Sequence, residues 1–358
     1  MTDIRLTTLL NSIQPTDKSF FVAAQKNWDA LAHPPGSLGE LELMVCKLAA
    51  IQKTIHPSVE KKCVCVFASD NGVFAEGITS QPQETTVYLA EAMLLGNTGL
   101  GALSKVSHSD IKVYDAGLIR TSTKKEIQSI KLAYGTGNIA IEQAMTYDKC
   151  IELILRGAEV AKTVVSENYT FLGTGELGIC NTTTTAAVLS AISQRPANET
   201  VGSGASATPD MQKKKREVVE KALKLHKPNS SDPIDCIAKV GGFDIAAMCG
   251  FFLGAACSGV GVVIDGFISS VAALCAARLQ PNVTDYLFAS HASSEKGAHI
   301  ASELLGLHPV LHLHLRLGEG SGCPLFFSLM DTAIFISNTM AHFSDTPIDR
   351  NDLVDLRK

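Results

Sequence analysis

The sequence is poor in the features that mark several common classes of protein. Its 358 residues contain one tryptophan and six tyrosines, and no basic stretch is interleaved with aromatic residues. This composition argues against nucleic-acid binding. No two of the ten cysteines have the spacing of a zinc or redox motif, which favours buried free thiols in a reducing cytoplasm. The N-terminal residues lack a signal-peptide pattern. We therefore expect a cytoplasmic protein without a metal site.

One uncharged segment is long enough to cross a membrane and needs its own explanation. Residues 245–264 contain no charged side chain. Glycines recur along the segment, and its pattern changes midway from helix-like to strand-like. We interpret it as a buried helix that leads into a buried strand, so the expectation is a protein without a membrane-spanning segment. With 46% hydrophobic and 19% charged residues, the chain has enough apolar material for a large core.

Short apolar runs rich in β-forming residues recur along the chain, and each ends in a loop with small residues and an acid. Runs of this kind cover residues 63–70, 169–176, 260–265 and 310–319. Patterns typical of helices lie between them, as at 182–193 and 267–278. Strands that alternate with helices predict an α/β fold with a parallel sheet covered on both faces. The helical patterns at 1–25 and 330–358 fall outside this alternation and predict a small helical domain beside a large α/β domain at 26–329.

The acids at the predicted strand ends are candidates for a shared site. In parallel sheets ligands bind outside the carboxyl ends of the strands, so Asp70, Glu176, Asp265 and Glu319 are expected to line one crevice. Glu319 lies between two glycines, where burial would raise its pKa towards that of a useful general base. An acid in a glycine-rich turn that faces water is the other interpretation. Local sequence leaves both open.

Other motifs have weaker functional signals. Gly173-Thr-Gly-Glu-Leu-Gly178 matches the dinucleotide-binding pattern, but Glu176 would repel a pyrophosphate. A site for a single phosphate or a sugar, or a structural turn, remain as alternatives. Ser293 follows an apolar run and either holds a phosphate or caps a helix. His312 and His314 alternate along a predicted strand without a third ligand nearby, which favours histidines in a wall or core over a metal site.

Seven motifs, in the same order along the chain, resemble those of the nicotinate-nucleotide:dimethylbenzimidazole phosphoribosyltransferase family of cobamide biosynthesis. Together they span most of the sequence. They are PPGSLGELE (34–42), SDNGVFAEGITSQPQETT (69–86), GTGELGICNTT (173–183), KVGGFDIAAMCGFFLGAA (239–256), VVIDGFISSVAAL (262–274), SHASSEKGA (290–298) and LRLGEGSG (315–322).

The resemblance implies a Rossmann-like large domain, a small helical domain from both chain ends, and a dimer. It implies transfer of phosphoribose from nicotinate mononucleotide to an aromatic base, without a cofactor or a metal. Glu319 matches the general base, and Glu176 matches an active-site acid that either orients the ribose hydroxyls or stabilises positive charge at C1′. The remaining matched positions divide into the 5′-phosphate site, with Gly178, Lys215 and Ser293, and the base pocket, with Gln81, Tyr88, Leu89 and Leu317.

The sequence departs from the family pattern in the base pocket, where Leu89 stands in place of a glutamine. The preferred base is then an azole such as 5,6-dimethylbenzimidazole, a purine, or a phenolic compound that attacks through oxygen. Two further hypotheses remain. In the first, this chain is a helper subunit that pairs with an active paralogue. The expected dimer therefore contains either two copies of this chain or one copy and that paralogue. Alternatively it is an NAD-dependent oxidoreductase, which the motif at 173–178 alone suggests.

Overall fold

A parallel sheet forms the centre of the computed structural model, which describes residues 3–204, 208–348 and 353–357. In chain order the strands of this described part are β1 (Lys62–Ser69), β2 (Ser109–Gly117), β3 (Gln128–Ser129), β4 (Phe171–Leu177), β5 (Gly261–Ile264) and β6 (Leu287–Ala289). Their order in the sheet is β3-β2-β1-β4-β5-β6, and every neighbouring pair is parallel. This is the strand order of a Rossmann fold, so the predicted α/β class is confirmed.

Helices occupy most of the chain between and beyond the strands. In chain order they are α1 (Ile4–Ser12), α2 (Lys18–Trp28), α3 (Glu40–Gln52), α4 (Thr85–Leu94), α5 (Gly99–Val106), α6 (Tyr147–Ser166), α7 (Asn181–Ser193), α8 (Ala197–Thr200), α9 (Pro209–His226), α10 (Pro233–Val240), α11 (Phe243–Cys257), α12 (Phe267–Leu279), α13 (Ala298–Leu305) and α14 (Gly322–Thr339).

Helices cover both faces of the sheet. Successive side chains along a strand point to opposite faces, so the strands contact helices on each side. On one face, Phe67 of β1 packs edge-on against Phe251 of α11. On the other face, Phe171 of β4 contacts the rings of Phe326 and Phe327 in α14. Strands buried on both faces read as continuous apolar runs, which is the pattern of β1.

The long uncharged segment has the structure that its pattern predicts. Residues 245–257 lie in α11, which is buried along nearly its whole length, and residues 261–264 form β5. The apolar character of the segment therefore comes from its position in the core of the α/β domain. Among the described residues, no helix has both the length and the apolar character required to cross a membrane.

The predicted strand before Glu319 is absent. Residues 312–318 have no regular structure. Just before them, Leu311 forms an isolated parallel bridge with His291, and Ser294 N donates to Leu315 O at 2.9 Å. The sixth strand is instead β6, within the apolar run that precedes Ser293. The alternation of leucine and histidine at 311–315 misleads because these side chains are largely exposed. His312 and His314 consequently do not share a strand face.

The two chain ends meet beside the sheet. Ala32 N donates to Ala341 O at 2.8 Å, and Phe343 N donates to Ala30 O at 3.0 Å. Arg357 forms an ion pair with Asp29 at 3.0 Å. The helix α14 runs through the boundary that the sequence places at residues 329 and 330. The division into a large and a small domain stays a prediction.

Candidate active site

A cleft of about 1030 Å³, part of which is open solvent, lies at the carboxyl ends of the central strands. The strand order reverses between β1 and β4, and Rossmann folds bind their ligands at this point. A side-chain carbon at Gly178 would lie 2.3 Å from Ser69 O, which brings the ends of the two strands together. The cleft is lined by nine of the residues that the sequence singles out: Gln81, Leu89, Glu176, Gly178, Lys215, Asp265, Ser293, Leu317 and Glu319.

Two of the sequence-derived candidates lie elsewhere. Tyr88 is 70% exposed and lines an adjoining hollow, which shares Leu89 and Glu319 with the main cleft. Asp70 does not line the cleft, so the prediction that all four strand-end acids share one crevice is wrong for this residue. Its backbone N–H donates to Gly117 O, and its carboxylate accepts from Ile119 N at 2.8 Å, which directs it towards the end of β2.

Glu319 occupies a backbone conformation that L-amino acids rarely adopt. Its φ is +65°, and the neighbouring Gly318 and Gly320 also have positive φ. The side chain is partly buried in the cleft, and Oε2 is buried without a hydrogen-bond partner among the described residues. Burial raises the pKa of Glu319, and the nearby charge of Asp265 raises it further. A carboxylate in this state can take a proton from a bound molecule.

Glycines in β4 allow the loop that holds Glu319 to pack directly on the sheet. A side-chain carbon at Gly175 would lie 2.6 Å from Glu319 O, and one at Gly173 would lie 2.7 Å from Cys323 Cβ. Both glycines belong to the strand, whereas a dinucleotide motif needs them in the turn that follows. The structure therefore explains this part of the motif as packing.

Asp265 anchors the same loop from the end of β5. Its carboxylate accepts hydrogen bonds from Gly320 N at 3.1 Å and from Gly322 N at 2.6 Å. His291 Nδ1 lies 3.9 Å from the carboxylate. Asp265 is buried, so these donors compensate for its lost hydration. The loop position that presents Glu319 thus depends on a buried carboxylate on a neighbouring strand.

Glu176, at the end of β4, belongs to a cluster of buried polar groups. The Asn181 amide donates to Glu176 Oε2 and, at 3.3 Å, to Asp244 Oδ2, while Glu319 N lies 3.4 Å from Glu176 Oε1. Burial raises the pKa of Glu176 to about 8, with a further contribution from Asp244. Burial also raises the pKa of Asp244 to about 6. At neutral pH Glu176 is therefore mainly protonated in the free protein.

Another part of the cleft carries positive charge. Lys215 projects inward from α9 with 5% exposure, whereas its neighbours Lys213 and Lys214 are exposed. Its ammonium donates to Thr182 Oγ1 at 3.3 Å and to Ser203 O at 3.5 Å. A side-chain carbon at Gly204 would lie 2.8 Å from this ammonium, so the glycine keeps the space open. A buried ammonium beside small polar groups is suited to an anion.

A third part of the cleft is apolar. Its walls include the side chains of Ile78, Leu89, Leu177 and Leu317. Leu317 also packs on the start of α5, where a side-chain carbon at Gly99 would lie 2.5 Å from its Cδ2. Thr79 and Gln81 supply polar atoms at the edge. Because Glu319 borders this apolar wall, a flat aromatic molecule bound there would have a proton acceptor beside it.

Comparisons with known proteins agree with this arrangement of an acid, an anion site and an apolar wall. A family model described as "Phosphoribosyltransferase" matches residues 13–348. The nicotinate-nucleotide–dimethylbenzimidazole phosphoribosyltransferase of Clostridium tetani is 43% identical over 350 residues, which cover 98% of this chain and 97% of the relative. The chain belongs to the phosphoribosyltransferase family.

Further relatives support the assignment. The protein with the same name from Clostridium perfringens strain 13 is 43% identical over 98% of both chains. A crystal structure of CobT from Thermus thermophilus superposes with a TM-score of 0.88 and 34% identity, covering 93% of this chain and 99% of that one. The predicted family and the transferase class are confirmed.

Several residues that shape the site of this phosphoribosyltransferase escape sequence reasoning. Asp244 is fully buried. Its signal in the sequence is that it is the single acid at the start of an otherwise uncharged helix. Glu295 and Arg316 also line the cleft. Among the described residues, no group of three or more His, Cys, Asp or Glu side chains has the arrangement of a metal site.

Proposed function

We propose that this phosphoribosyltransferase transfers 5-phosphoribose from nicotinate mononucleotide to an aromatic base that becomes the lower ligand of a cobamide. The products are the α-riboside phosphate of the base and nicotinate. The names of the clostridial relatives support the two substrates. A cleft that contains both an anion site and an apolar wall beside an acid is consistent with them.

The unpartnered oxygen of Glu319 is the observation on which the proposal chiefly rests. A buried acceptor without a donor is unfavourable by about 1–3 kcal/mol, and the left-handed backbone adds to this penalty. Such features persist where a ligand completes the site. We assign Glu319 as the general base that takes the ring N–H proton of an azole held against the wall at Leu89 and Leu317.

The proposed reaction is a substitution at C1′ of the ribose. The second ring nitrogen of the azole attacks C1′ as the bond to the pyridinium nitrogen breaks. The pyridinium nitrogen keeps the bonding electron pair and loses its positive charge, so departure of nicotinate needs no proton. Glu319 takes the ring proton of the azole, which leaves the new riboside base uncharged. Attack opposite the leaving group inverts the β-nucleotide to the α-riboside.

Glu176 is proposed to orient the ribose. Its pKa of about 8 keeps it mainly protonated in the free protein near neutral pH. A neutral carboxyl group can both donate to and accept from sugar hydroxyls. Asn181 fixes the orientation of the carboxyl group by donating to Oε2. This proposal favours hydroxyl orientation over stabilisation of positive charge at C1′.

The 5′-phosphate is proposed to bind at Gly178, Lys215 and Ser293. Lys215 supplies a buried positive charge, and Gly178 lies where a side chain would block the approach to the end of β1. Ser293 supplies a hydroxyl within the same cleft. We propose Gln81, Leu89 and Leu317 as contacts for the base, with Tyr88 at the entrance.

We propose that the active form is a dimer of two copies and that it works in the cytoplasm. Leucine side chains of the segment before Glu319 are exposed, with 51% for Leu313 and 55% for Leu317, and a second copy would cover them. The ten free cysteines are consistent with a reducing compartment. Light scattering on the purified protein tests the dimer, and a monomeric mass at assay concentration would contradict it.

The function is tested by incubating the protein with nicotinate mononucleotide and a panel of benzimidazoles, purines and phenols. We expect nicotinate release and a product with the mass of the α-riboside phosphate, with a benzimidazole among the accepted bases. Nicotinate release only after addition of a paralogous chain would identify a helper subunit. An NAD-dependent absorbance change without nicotinate release would instead identify an oxidoreductase.

A further inference from the structure

Glu295 is a buried acid at the cationic end of the cleft, and only part of its hydrogen-bonding capacity is used. The side chain is 8% exposed, and Oε1 accepts from Gly204 N at 3.0 Å. Oε2 is buried without a hydrogen-bond partner among the described residues. The Glu295 N–H donates to Ser293 Oγ at 3.3 Å, which ties the acid to a proposed phosphate contact.

The surroundings of Glu295 place it beside Lys215. Gly204, which donates to Glu295, is also the residue whose side-chain carbon would lie 2.8 Å from Lys215 Nζ and 2.9 Å from Thr182 Oγ1. The acid, the ammonium and the hydroxyls of Thr182 and Ser293 therefore surround one part of the cleft. A phosphate that binds Lys215 and Ser293 comes close to Glu295.

The charged groups that face Glu295 come from two other segments. Lys215 of α9 and Arg316 of the irregular segment before Glu319 both lower the pKa of Glu295, but burial outweighs them and the net direction is upward. Cys180, at the start of α7, faces Lys215, and burial raises the pKa of this thiol to about 11, so it stays neutral. On its own loop, Lys296 points away and donates to Asn198 O.

We propose that Glu295 binds the 5′-phosphate of the nucleotide through a single shared proton, so that nucleotide binding takes up one proton. An ionised carboxylate beside a phosphate dianion would repel it. One proton between the two oxygens turns the repulsion into a charge-assisted hydrogen bond. This inference deepens the proposed function, because it takes the phosphate site described above as given.

A shared proton makes the dissociation constant of the nucleotide depend on pH. The second pKa of a phosphate monoester is about 6. At a pH above this value and above the pKa of Glu295, both free partners have lost their protons. Binding must then take a proton from solvent, and the dissociation constant rises about tenfold per pH unit. At lower pH one partner already carries the proton, and this dependence disappears.

Glu295→Gln separates a shared proton from a structural role. In this variant the side-chain oxygen Oε1 can still accept from Gly204 N, while the amide NH₂ can donate to the phosphate without any proton uptake. Glu295→Ala removes both contacts. Glu303→Gln, an exposed position on α13, is the matched control for loss of one carboxylate. Ribose 5-phosphate is the probe, because its binding needs no transfer reaction and no base.

Calorimetry with ribose 5-phosphate, in buffers of different ionisation enthalpy, counts the protons taken up at about pH 8. We expect wild-type protein and Glu303→Gln to take up about one proton more than Glu295→Gln. Glu295→Gln should also bind more tightly than wild type at about pH 9, with little dependence on pH. Glu295→Ala should bind more weakly than Glu295→Gln throughout.

Equal proton uptake by wild-type protein and Glu295→Gln would overturn the proposal, and so would equal loss of binding in Glu295→Gln and Glu295→Ala. The latter result would mean that the negative charge itself is needed, as in an ion pair with Arg316. Failure of the proposed function looks different. In that case nicotinate is not released by the wild-type protein, whatever the proton count for ribose 5-phosphate.

Discussion

Glu319 combines two unfavourable features in one residue. A non-glycine residue in the left-handed region is disfavoured by roughly 1–2 kcal/mol, and its buried Oε2 lacks a donor. The two hydrogen bonds from the loop to Asp265 offset the strain. The result is a carboxylate held at a fixed place in the cleft, with a raised pKa and one oxygen available for a substrate proton.

Glu319→Gln should keep the fold and lose most of the turnover. The amide fills the same space but cannot accept a proton, and loss of a general base typically lowers the rate by about 10²–10⁴-fold. Product formation from nicotinate mononucleotide and a benzimidazole measures the effect, with Glu303→Gln as the control. Turnover close to wild type in a folded Glu319→Gln protein would contradict the assignment.

Glu176 should make the protein less stable as the pH rises. Its folded-state pKa of about 8 lies above its ordinary value of 4.5. The folded state therefore retains a proton that the unfolded state releases in this interval, so stability falls as pH increases. Each pKa unit of difference between the folded and unfolded states corresponds to about 1.4 kcal/mol of folding free energy.

Glu176→Gln should remove this dependence, because an amide is neutral at every pH. The variant is expected to match wild type at about pH 4, below the ordinary pKa of Glu176, and to exceed its free energy of unfolding at about pH 8. Denaturant unfolding at the two pH values measures the difference. The same decline in wild type and variant would show that Glu176 is ionised in the folded protein at neutral pH.

At the scale of elements, the site depends on close packing between the loop at 318–322 and strand β4. Gly320 has a φ of +88°, and a side-chain carbon there would lie 2.8 Å from Val64 Cγ1 and 3.1 Å from Gly175 Cα. The loop therefore has no room to accept a larger residue without moving away from the sheet. Any such movement displaces Glu319, which is the adjacent residue.

Gly320→Ala should reduce both activity and stability. The added methyl group shifts a loop at the edge of the core, so we expect a loss of about 1–3 kcal/mol in folding free energy. A displacement of about 1 Å in a reacting group can lower the rate about 10²-fold. Turnover and thermal unfolding measured on one preparation compare the two effects. Unchanged turnover would show that the loop tolerates the shift.

At the scale of the whole molecule, the pairing of α6 with α11 supports the sheet beneath the cleft. Glycines allow the two helices to approach closely, since a side-chain carbon at Gly250 would lie 1.8 Å from Ile154 O, and one at Gly254 would lie 2.3 Å from Ala158 O. The helix α11 also carries Asp244 at its start, next to the cluster around Glu176. Global packing and the site are therefore joined through one buried helix.

Gly250→Ala should destabilise the whole fold. The methyl group meets backbone that cannot rotate away, so the helices must separate, and overpacking of this kind typically lowers stability by about 1–3 kcal/mol or more. Glu159→Ala, on the exposed side of α6, is the control and should change stability by less than about 0.5 kcal/mol. Denaturant midpoints measure both. Equal midpoints would show that the helices can separate at little cost.

The local pattern of the chain was sufficient to predict much of this architecture. Apolar runs and their spacing determined the alternation of strands and helices and the buried nature of residues 245–264, because side-chain periodicity reflects local backbone geometry. The same patterns placed Glu176 and Asp265 at strand ends. The predicted strand at 310–317 failed because alternation alone does not distinguish a paired strand from an exposed extended segment.

Only the tertiary structure decided which of these groups meet. The strand pattern predicted a shared edge for Glu176, Asp265 and Glu319, and the folded sheet brings them to one cleft. The carboxylate of Asp70 turns instead towards Ile119 N at the end of β2, which does not follow from spacing along the chain. Packing of α11 brought Asp244 to Asn181, and packing of α9 turned Lys215 inward. The sequence alone determined the elements and the residue types that they carry. Long-range packing determined their proximity, and through burial it determined the pKa values on which the proposed chemistry depends.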